Sequence, residues 1–181
     1  MDIVMYVLMM FILVCILLMW YITTYNKYQS YIIRINEAEA NIDSTLRKRF
    51  DLLNKSIGIL KVNLKTEDEI LDKVVKLRSK KLTNFELDRE LYEAINEFHV
   101  VMESNPELKT HEELMKIVIS LNDTEIEISA LRKYYNDIIT DYNKLIRTFP
   151  SNIVGKFAKY KLRTYFDGKN MEDNIYNDFK L

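Results

Sequence analysis

The chain has 181 residues, and only three of them are glycine and two are proline. Both counts lie well below the usual shares of roughly 7% and 5%. Few turns are therefore available, which argues against hairpin-rich β folds and predicts a few long helices. The formal net charge of −1 gives no general attraction to nucleic acid, and a single cysteine excludes an internal disulfide.

Residues 3–22 form one apolar run, "IVMYVLMMFILVCILLMWYI". About twenty such residues span the roughly 30 Å hydrocarbon core of a bilayer when they are helical. A cleaved signal peptide is disfavoured because the chain has neither a basic start nor a site for cleavage after small residues. The sequence therefore predicts a transmembrane anchor over residues 1–25, which contacts the lipid bilayer through residues 3–22.

The charges on either side of the span predict its orientation. Asp2 lies ahead of it, whereas Lys27 and Arg34 follow it. Basic residues favour the cytoplasmic side of a membrane. The long C-terminal part is therefore predicted to be cytoplasmic.

Three Thr-x-x-Glu capping boxes divide the rest of the chain into helices. We expect the first helix to continue from the membrane to about residue 64, followed by helices over 67–81, 84–104 and 111–149. The three boxes are Thr66 with Glu69, Thr83 with Glu86, and Thr110 with Glu113. The expected fold is all-α, an antiparallel bundle over residues 26–166 that continues from the anchor.

The last long helix carries a heptad seam that predicts a buried face. Tyr135 and Tyr142 both fall on this seam, so their rings should pack inside the bundle. The seam consists of Leu114, Ile117, Leu121, Thr124, Ile128, Leu131, Tyr135, Ile138, Tyr142, Leu145 and Phe149. A polar track lies one position further round, and it either joins neighbouring helices or presents a surface to a partner. It consists of Glu125, Ser129, Arg132, Asn136 and Asn143.

The first helix is predicted to supply the other half of this polar network. Its apolar stripe is Ile42, Leu46, Phe50, Leu53, Ile57, Leu60 and Leu64. Arg47, Asp51 and Asn54 share a neighbouring face, where an antiparallel helix would place them beside Glu125 or Arg132. Since buried ionic groups need partners, we expect ion pairs between these helices. The alternative, in which the basic residues 47–49 bind lipid phosphate, is weakened by Asp43 and Asp51.

Residues 151–166 contain enough apolar side chains for a short amphipathic helix that folds back on the bundle. Its lysines and aromatic residues could alternatively contact the membrane surface. Residues 167–181 are polar and acidic and predict a loosely ordered tail.

Several motifs together resemble the LemA family of bacterial membrane-anchored helical proteins. They are "YNKYQ" after the span, "LRKRFDLL" over 46–53, "ESNPELK" over 103–109, "TEIEISALRKYYNDIITDYN" over 124–143 and "FPS" over 149–151. The resemblance implies one N-terminal anchor, a helical bundle, no established enzymatic activity, and a link to envelope stress or a membrane protease. The motif and network residues are Arg47, Arg49, Asp51, Glu125, Arg132, Tyr135, Asn136, Tyr142, Asn143, Phe149 and Pro150.

No pattern in the chain predicts catalysis. His99 and His111 lie on different predicted helices without metal-ligand spacing, and the three glycines are too isolated to cradle a phosphate. We therefore expect no catalytic, cofactor-binding or metal-binding residue, and neither a nucleic acid nor a small-molecule substrate. Two functions remain open: a protein-interaction module with an unidentified protein partner, and a self-associating scaffold that organises the membrane.

Overall fold

The computed structural model describes residues 2–64 and 82–166. Helix α1 covers Asp2–Leu64, α2 covers Asn84–Ser104, α3 covers Glu112–Arg147 and α4 covers Ser151–Phe157. A 3-10 helix, Pro106–Thr110, connects α2 to α3. The described residues contain no strand, which confirms the predicted all-α fold. The helix expected over 67–81, the capping box at Thr66 and the tail from Asp167 lie outside the described residues.

These helices contribute to two compact units. The anchor unit consists of Met1–Glu37 and Tyr135–Tyr165, and the bundle unit consists of Ala38–Tyr134 and Phe166–Leu181. Helices α1 and α3 each contribute residues to both units. The predicted boundary between anchor and bundle, after residue 25, stays a prediction.

In the anchor unit, the apolar side chains of residues 3–22 are almost all exposed. Among the described residues, α1 is the one helix long and apolar enough to cross a membrane, and its apolar part lies near the N-terminus. A helix satisfies its own backbone hydrogen bonds, so lipid can surround such a segment without leaving polar groups unpaired. The family resemblance and this helix both indicate a single-pass membrane protein.

In the bundle unit, α1 and α3 run antiparallel. Thr45 on α1 bonds to Glu127 on α3, Arg49 contacts Glu125, and Lys55 contacts Glu113. The residue numbers of the α3 partners therefore decrease as the residue numbers along α1 increase. The facing apolar side chains are buried, among them Ile42, Leu46, Leu53, Leu114, Leu121 and Ile128.

The capping box at the start of α2 forms as predicted. The Glu86 amide donates to Thr83 Oγ1 at 3.3 Å, and the Thr83 amide donates to Glu86 Oε2 at 2.8 Å. The backbone hydrogen bond from Thr83 lowers the pKa of the Glu86 carboxyl, because it favours the ionised form.

The box predicted at Thr110 is replaced by other contacts. Helix α3 begins two residues later, at Glu112, so Thr110 is not at the capping position. Its hydroxyl instead donates to the Glu107 carbonyl at 2.7 Å, and the Glu113 carboxylate contacts Lys55 Nζ at 2.9 Å.

The predicted seam of α3 is largely buried, with one difference at its end. Tyr135 and Tyr142 are buried, and Leu131 and Leu145 are half-buried. Phe149 is 75% exposed, because α3 ends at Arg147 and the next residues form a turn that contains a cis Phe149–Pro150 peptide bond.

Candidate functional site

The buried face of α1 in the bundle unit contains an arginine. Leu46, Arg49, Leu53, Ser56 and Leu60 follow one another at three- and four-residue steps, and all five side chains are buried. This spacing places them on one side of a helix. Arg49 is only 1% exposed, whereas Phe50, expected on this stripe, is half-buried.

Glu125 of α3 is the ionic partner of Arg49. Arg49 Nη1 lies 2.7 Å from Glu125 Oε2, and the Glu125 side chain is 30% exposed. The charge on Arg49 is therefore compensated inside the bundle unit, while Glu125 still reaches solvent. The sequence predicts ion pairs between α1 and α3 through the face of Arg47, Asp51 and Asn54, whereas the α1 residue that pairs with Glu125 is Arg49.

A second buried pair joins α2 to α3. Arg132 donates to Asp88 in a close charge-assisted hydrogen bond, and the Asp88 side chain is 2% exposed. Arg132 Nη1 also lies 4.0 Å from Glu125 Oε1. Glu125 thus lies between two guanidinium groups. We call Arg49, Asp88, Glu125 and Arg132 the ion-pair network; it has two formal positive and two formal negative charges.

Aromatic rings lie beside this network. The Arg132 guanidinium lies 5.9 Å from the centre of the Phe166 ring, and Phe85 stacks on Phe166 with 4.3 Å between ring centres. A guanidinium over an aromatic face gains electrostatic attraction as well as shielding from water. The Phe166 ring is therefore packed within the bundle unit, against Phe85 and beside Arg132.

The network leaves some of its hydrogen-bonding capacity unused. Among the described residues, Arg49 Nε, Arg132 Nε and Asp88 Oδ1 are buried without a hydrogen-bond partner. Arg49 Nη1 also lacks an aligned hydrogen bond, so its close contact with Glu125 is ionic rather than directional. Charged groups with incomplete hydrogen bonding depend strongly on their remaining partners.

The outer ion pairs of α1 are of a different kind. Lys48 contacts Glu127 at 3.4 Å, Lys55 contacts Glu113 at 2.9 Å, and all four side chains are exposed. The hydrogen bond from Lys55 lowers the pKa of the Glu113 carboxyl. Exposed ion pairs contribute little to stability because water and salt screen them, so these two pairs help to align the helices rather than hold them together.

Tyr142 and Asn143, the second Tyr-Asn pair of α3, join several segments of the anchor unit. The Tyr142 ring packs edge-on against Tyr28, with ring centres 6.1 Å apart. Asn143 Nδ2 donates to the Arg163 carbonyl at 2.8 Å, and its Oδ1 accepts from the Arg163 amide at 2.9 Å. This amide side chain thereby holds the segment after α4 against α3.

Tyr28 of α1 lies at the centre of the anchor unit and is fully buried. Its hydroxyl donates toward the carbonyls of Leu145, at 2.9 Å, and Ser151, at 3.1 Å. A Cβ on Gly155 would lie 2.8 Å from this hydroxyl, so α4 can approach only because residue 155 is glycine. Burial raises the pKa of Tyr28 above its ordinary 10.0, and burial likewise raises the pKa of Tyr142.

The remaining residues of the predicted network lie away from the buried charges. Arg47 is exposed and pairs with Asp43 of its own helix at 2.9 Å, and Asp51 is exposed. Asn136 is half-buried, and its carbonyl accepts from Thr140. Pro150 is exposed next to Phe149 and precedes α4.

Asp88 and Tyr28 were not singled out in the sequence, although both carried a signal. Asp88 occurs in register with the buried apolar residues Leu91, Ile95, Phe98 and Met102 of α2. A carboxylate within such a stripe indicates a buried ionic partner. Tyr28 belongs to the "YNKYQ" motif that follows the span, and the structure packs it against α3 and α4.

The chemistry available in this arrangement is ionic and structural. The network contains two arginines and two carboxylates that pair with each other, and no nucleophile. Within residues 2–64 and 82–166, no group of three or more histidine, cysteine or acidic side chains is placed to hold a metal ion.

In a comparison with known protein families, the sequence model of the LemA family matches residues 38–179. The match includes all four residues of the ion-pair network, both Tyr-Asn pairs and the segment after α4. No curated protein matches the chain.

Proposed function

Because the chain belongs to the LemA family, we propose that it is a non-enzymatic protein-interaction module, tethered by α1 to the bacterial cell membrane with its C-terminal part in the cytoplasm. The partner class implied by the family resemblance is a membrane protease or a component of the envelope-stress response. The buried network has a structural role in this proposal, since it fixes which faces of α1, α2 and α3 remain outside.

The observation that carries the proposal is an exposed apolar stripe on α3. Ile119 and Ile126 lie seven residues apart, and therefore on one side of the helix. They are 57% and 72% exposed, on the side of α3 away from buried Ile117, Leu121 and Ile128. Single exposed apolar residues are common, but two isoleucines at heptad spacing present the kind of anchor that binds a partner groove.

The experiment is in-cell photo-crosslinking of the full-length protein with a photoreactive residue at Ile126. A probe at Asp51, which is exposed on α1, serves as the matched control. We expect one specific foreign protein to be linked from Ile126 and not from Asp51, and Ile119→Ser to abolish that link. The compartment of the captured protein also reports the orientation in the membrane.

Two results would contradict the proposal. Identical products from Ile126 and Asp51 would show that the stripe has no specific partner. Products that contain only copies of this chain would favour the self-associating scaffold instead.

A further inference from the structure

Helix α4 packs directly on the part of α1 that leaves the membrane span. Val154 and Gly155 of α4 are buried, and Gly155 faces the Tyr28 hydroxyl. After α4 the chain turns back, and the Tyr160 ring lies 4.8 Å from that of Tyr28 and 6.5 Å from that of Tyr25. Gln29 also donates to the Tyr160 hydroxyl at 2.6 Å.

These contacts determine the depth of α4 relative to a membrane. The apolar run ends at Ile22, and Tyr25 and Tyr28 follow three and six residues later. At 1.5 Å per residue they lie roughly 4.5 and 9 Å beyond the end of the span along the helix axis. The headgroup layer is roughly 5 to 8 Å thick on each side. Tyr160 and the adjacent end of α4 are therefore held at or next to the headgroups.

The outer side of this segment is apolar and exposed. Phe149 and Phe157 are 75% and 77% exposed, and Ile153 lies midway between them at four-residue spacing. Ile153 and Phe157 lie on the side of α4 away from Val154 and Gly155, and Phe149 lies in the turn that precedes α4. Exposed phenylalanines are unfavourable in water but are typical of helices that lie in a membrane interface.

The same segment is strongly basic. Residues 142–165 contain six basic residues and no acidic one: Lys144, Arg147, Lys156, Lys159, Lys161 and Arg163. None of the six forms an ion pair with a carboxylate in the described part of the chain. Four to eight clustered lysines and arginines beside a transmembrane helix are the pattern that binds anionic lipids.

The turn that follows α4 keeps its lysines exposed. Lys159 has a positive φ of 56°, and the amides of Lys159 and Tyr160 donate to the carbonyls of Lys156 and Gly155. This is a Schellman motif, which ends the helix and reverses the chain. It directs Tyr160 inward to Tyr28, while Lys159 and Lys161 remain at the surface.

We propose that residues 149–163, the interfacial segment, form a second membrane contact: Phe149 and Phe157 insert into the leaflet next to the span, and the lysines bind anionic phospholipid headgroups. A lipid surface is the partner that fits this segment, because the segment packs at headgroup depth against the same helix that crosses the bilayer. Two attachment points would limit tilting of α1 where it leaves the membrane.

The test uses the full-length chain in phospholipid vesicles. Trp20 is the only tryptophan, so Trp20→Phe provides a background into which Phe157→Trp introduces a single probe. Lipids brominated near the headgroup end of their acyl chains quench a tryptophan that enters the membrane. The matched control is Ile126→Trp in the same background, which probes an equally exposed apolar residue of the bundle unit.

We expect brominated vesicles that contain phosphatidylglycerol to lower the emission of the Phe157→Trp variant at least about twofold, and that of the Ile126→Trp variant hardly at all. Replacing Lys156, Lys159 and Lys161 together by Gln should reduce the quenching. Phe149→Trp provides a second probe if Phe157→Trp alters the fold.

Equal quenching of the Phe157→Trp and Ile126→Trp variants, or none in either, would overturn the proposal. Quenching that is the same in vesicles of phosphatidylcholine alone, and unaffected by the three Gln replacements, would overturn its electrostatic part.

Discussion

At the scale of single residues, Arg49 and Glu125 differ in how well each charge would be compensated if its partner were removed. Without Glu125, the Arg49 guanidinium would remain almost fully buried with no counter-charge. Without Arg49, Glu125 would still reach solvent and would still lie 4.0 Å from Arg132. An uncompensated buried charge costs about 3–5 kcal/mol, whereas a carboxylate that keeps water and a second cation costs less.

Glu125→Gln should therefore lower the free energy of unfolding by about 3 kcal/mol or more, and Arg49→Met by about half of that or less. The double variant should recover part of the loss, because neither charge then remains. Urea unfolding of the detergent-solubilised full-length chain, followed by circular dichroism, measures all three. Equal losses from both single variants would contradict the asymmetry.

At the scale of the helices, two glycines have opposite effects on stability. Gly58 is exposed on α1, and a Cβ there would meet nothing within 4 Å. A Cβ on Gly155 of α4 would lie 2.8 Å from the Tyr28 hydroxyl, which is buried and bonded to two carbonyls and so cannot move aside easily. The first glycine only weakens its helix, while the second allows α4 to pack.

Gly58→Ala should raise the free energy of unfolding by about 0.8–1 kcal/mol, since alanine has the higher helix propensity. Gly155→Ala should lower it by about 1–3 kcal/mol through overpacking. Adding Tyr28→Phe to Gly155→Ala removes the clashing oxygen and should recover part of that loss. Thermal unfolding of these three variants and the unchanged chain under identical detergent conditions tests both glycines. A stabilising Gly155→Ala would show that α4 does not depend on this contact.

At the scale of the whole molecule, helix periods and capping signals predicted the elements more reliably than they predicted the buried polar contacts. The bounds of α2 and the seam of α3 follow from patterns within one segment. Which arginine of α1 is buried, Arg49 or Arg47, does not follow from such a pattern. Both fit a helical face, and only the packing of the partner helix decides that Arg49 is the buried one. Asp88 and Gly155 likewise acquire their roles from α3 and α1, which are distant in sequence.

The two units also differ in how they satisfy buried polar groups, and this difference predicts a response to alkaline pH. In the anchor unit, burial raises the pKa values of Tyr28, Tyr142 and Tyr160 above 10.0, so the neutral hydroxyls are favoured in the folded state. Their contribution to stability is complete below pH 10.0 and is lost as the pH rises through the raised values. In the bundle unit, the buried polar contacts described above are ion pairs between arginines and carboxylates rather than hydrogen bonds of tyrosine hydroxyls.

Alkaline conditions should therefore open the anchor unit before the bundle unit. In a Cys15→Ser background, Val154→Cys and Ala94→Cys place one buried thiol in each unit. Above pH 9 a thiol that opening exposes to water is largely ionised, so the labelling rates, relative to the unfolded chain, report opening rather than thiol titration. We expect the Val154→Cys site to lose its protection above pH 10.0 while the Ala94→Cys site retains it, and Tyr28→Phe to weaken the pH dependence. Simultaneous loss at both sites would show that the buried tyrosines do not determine where the chain opens.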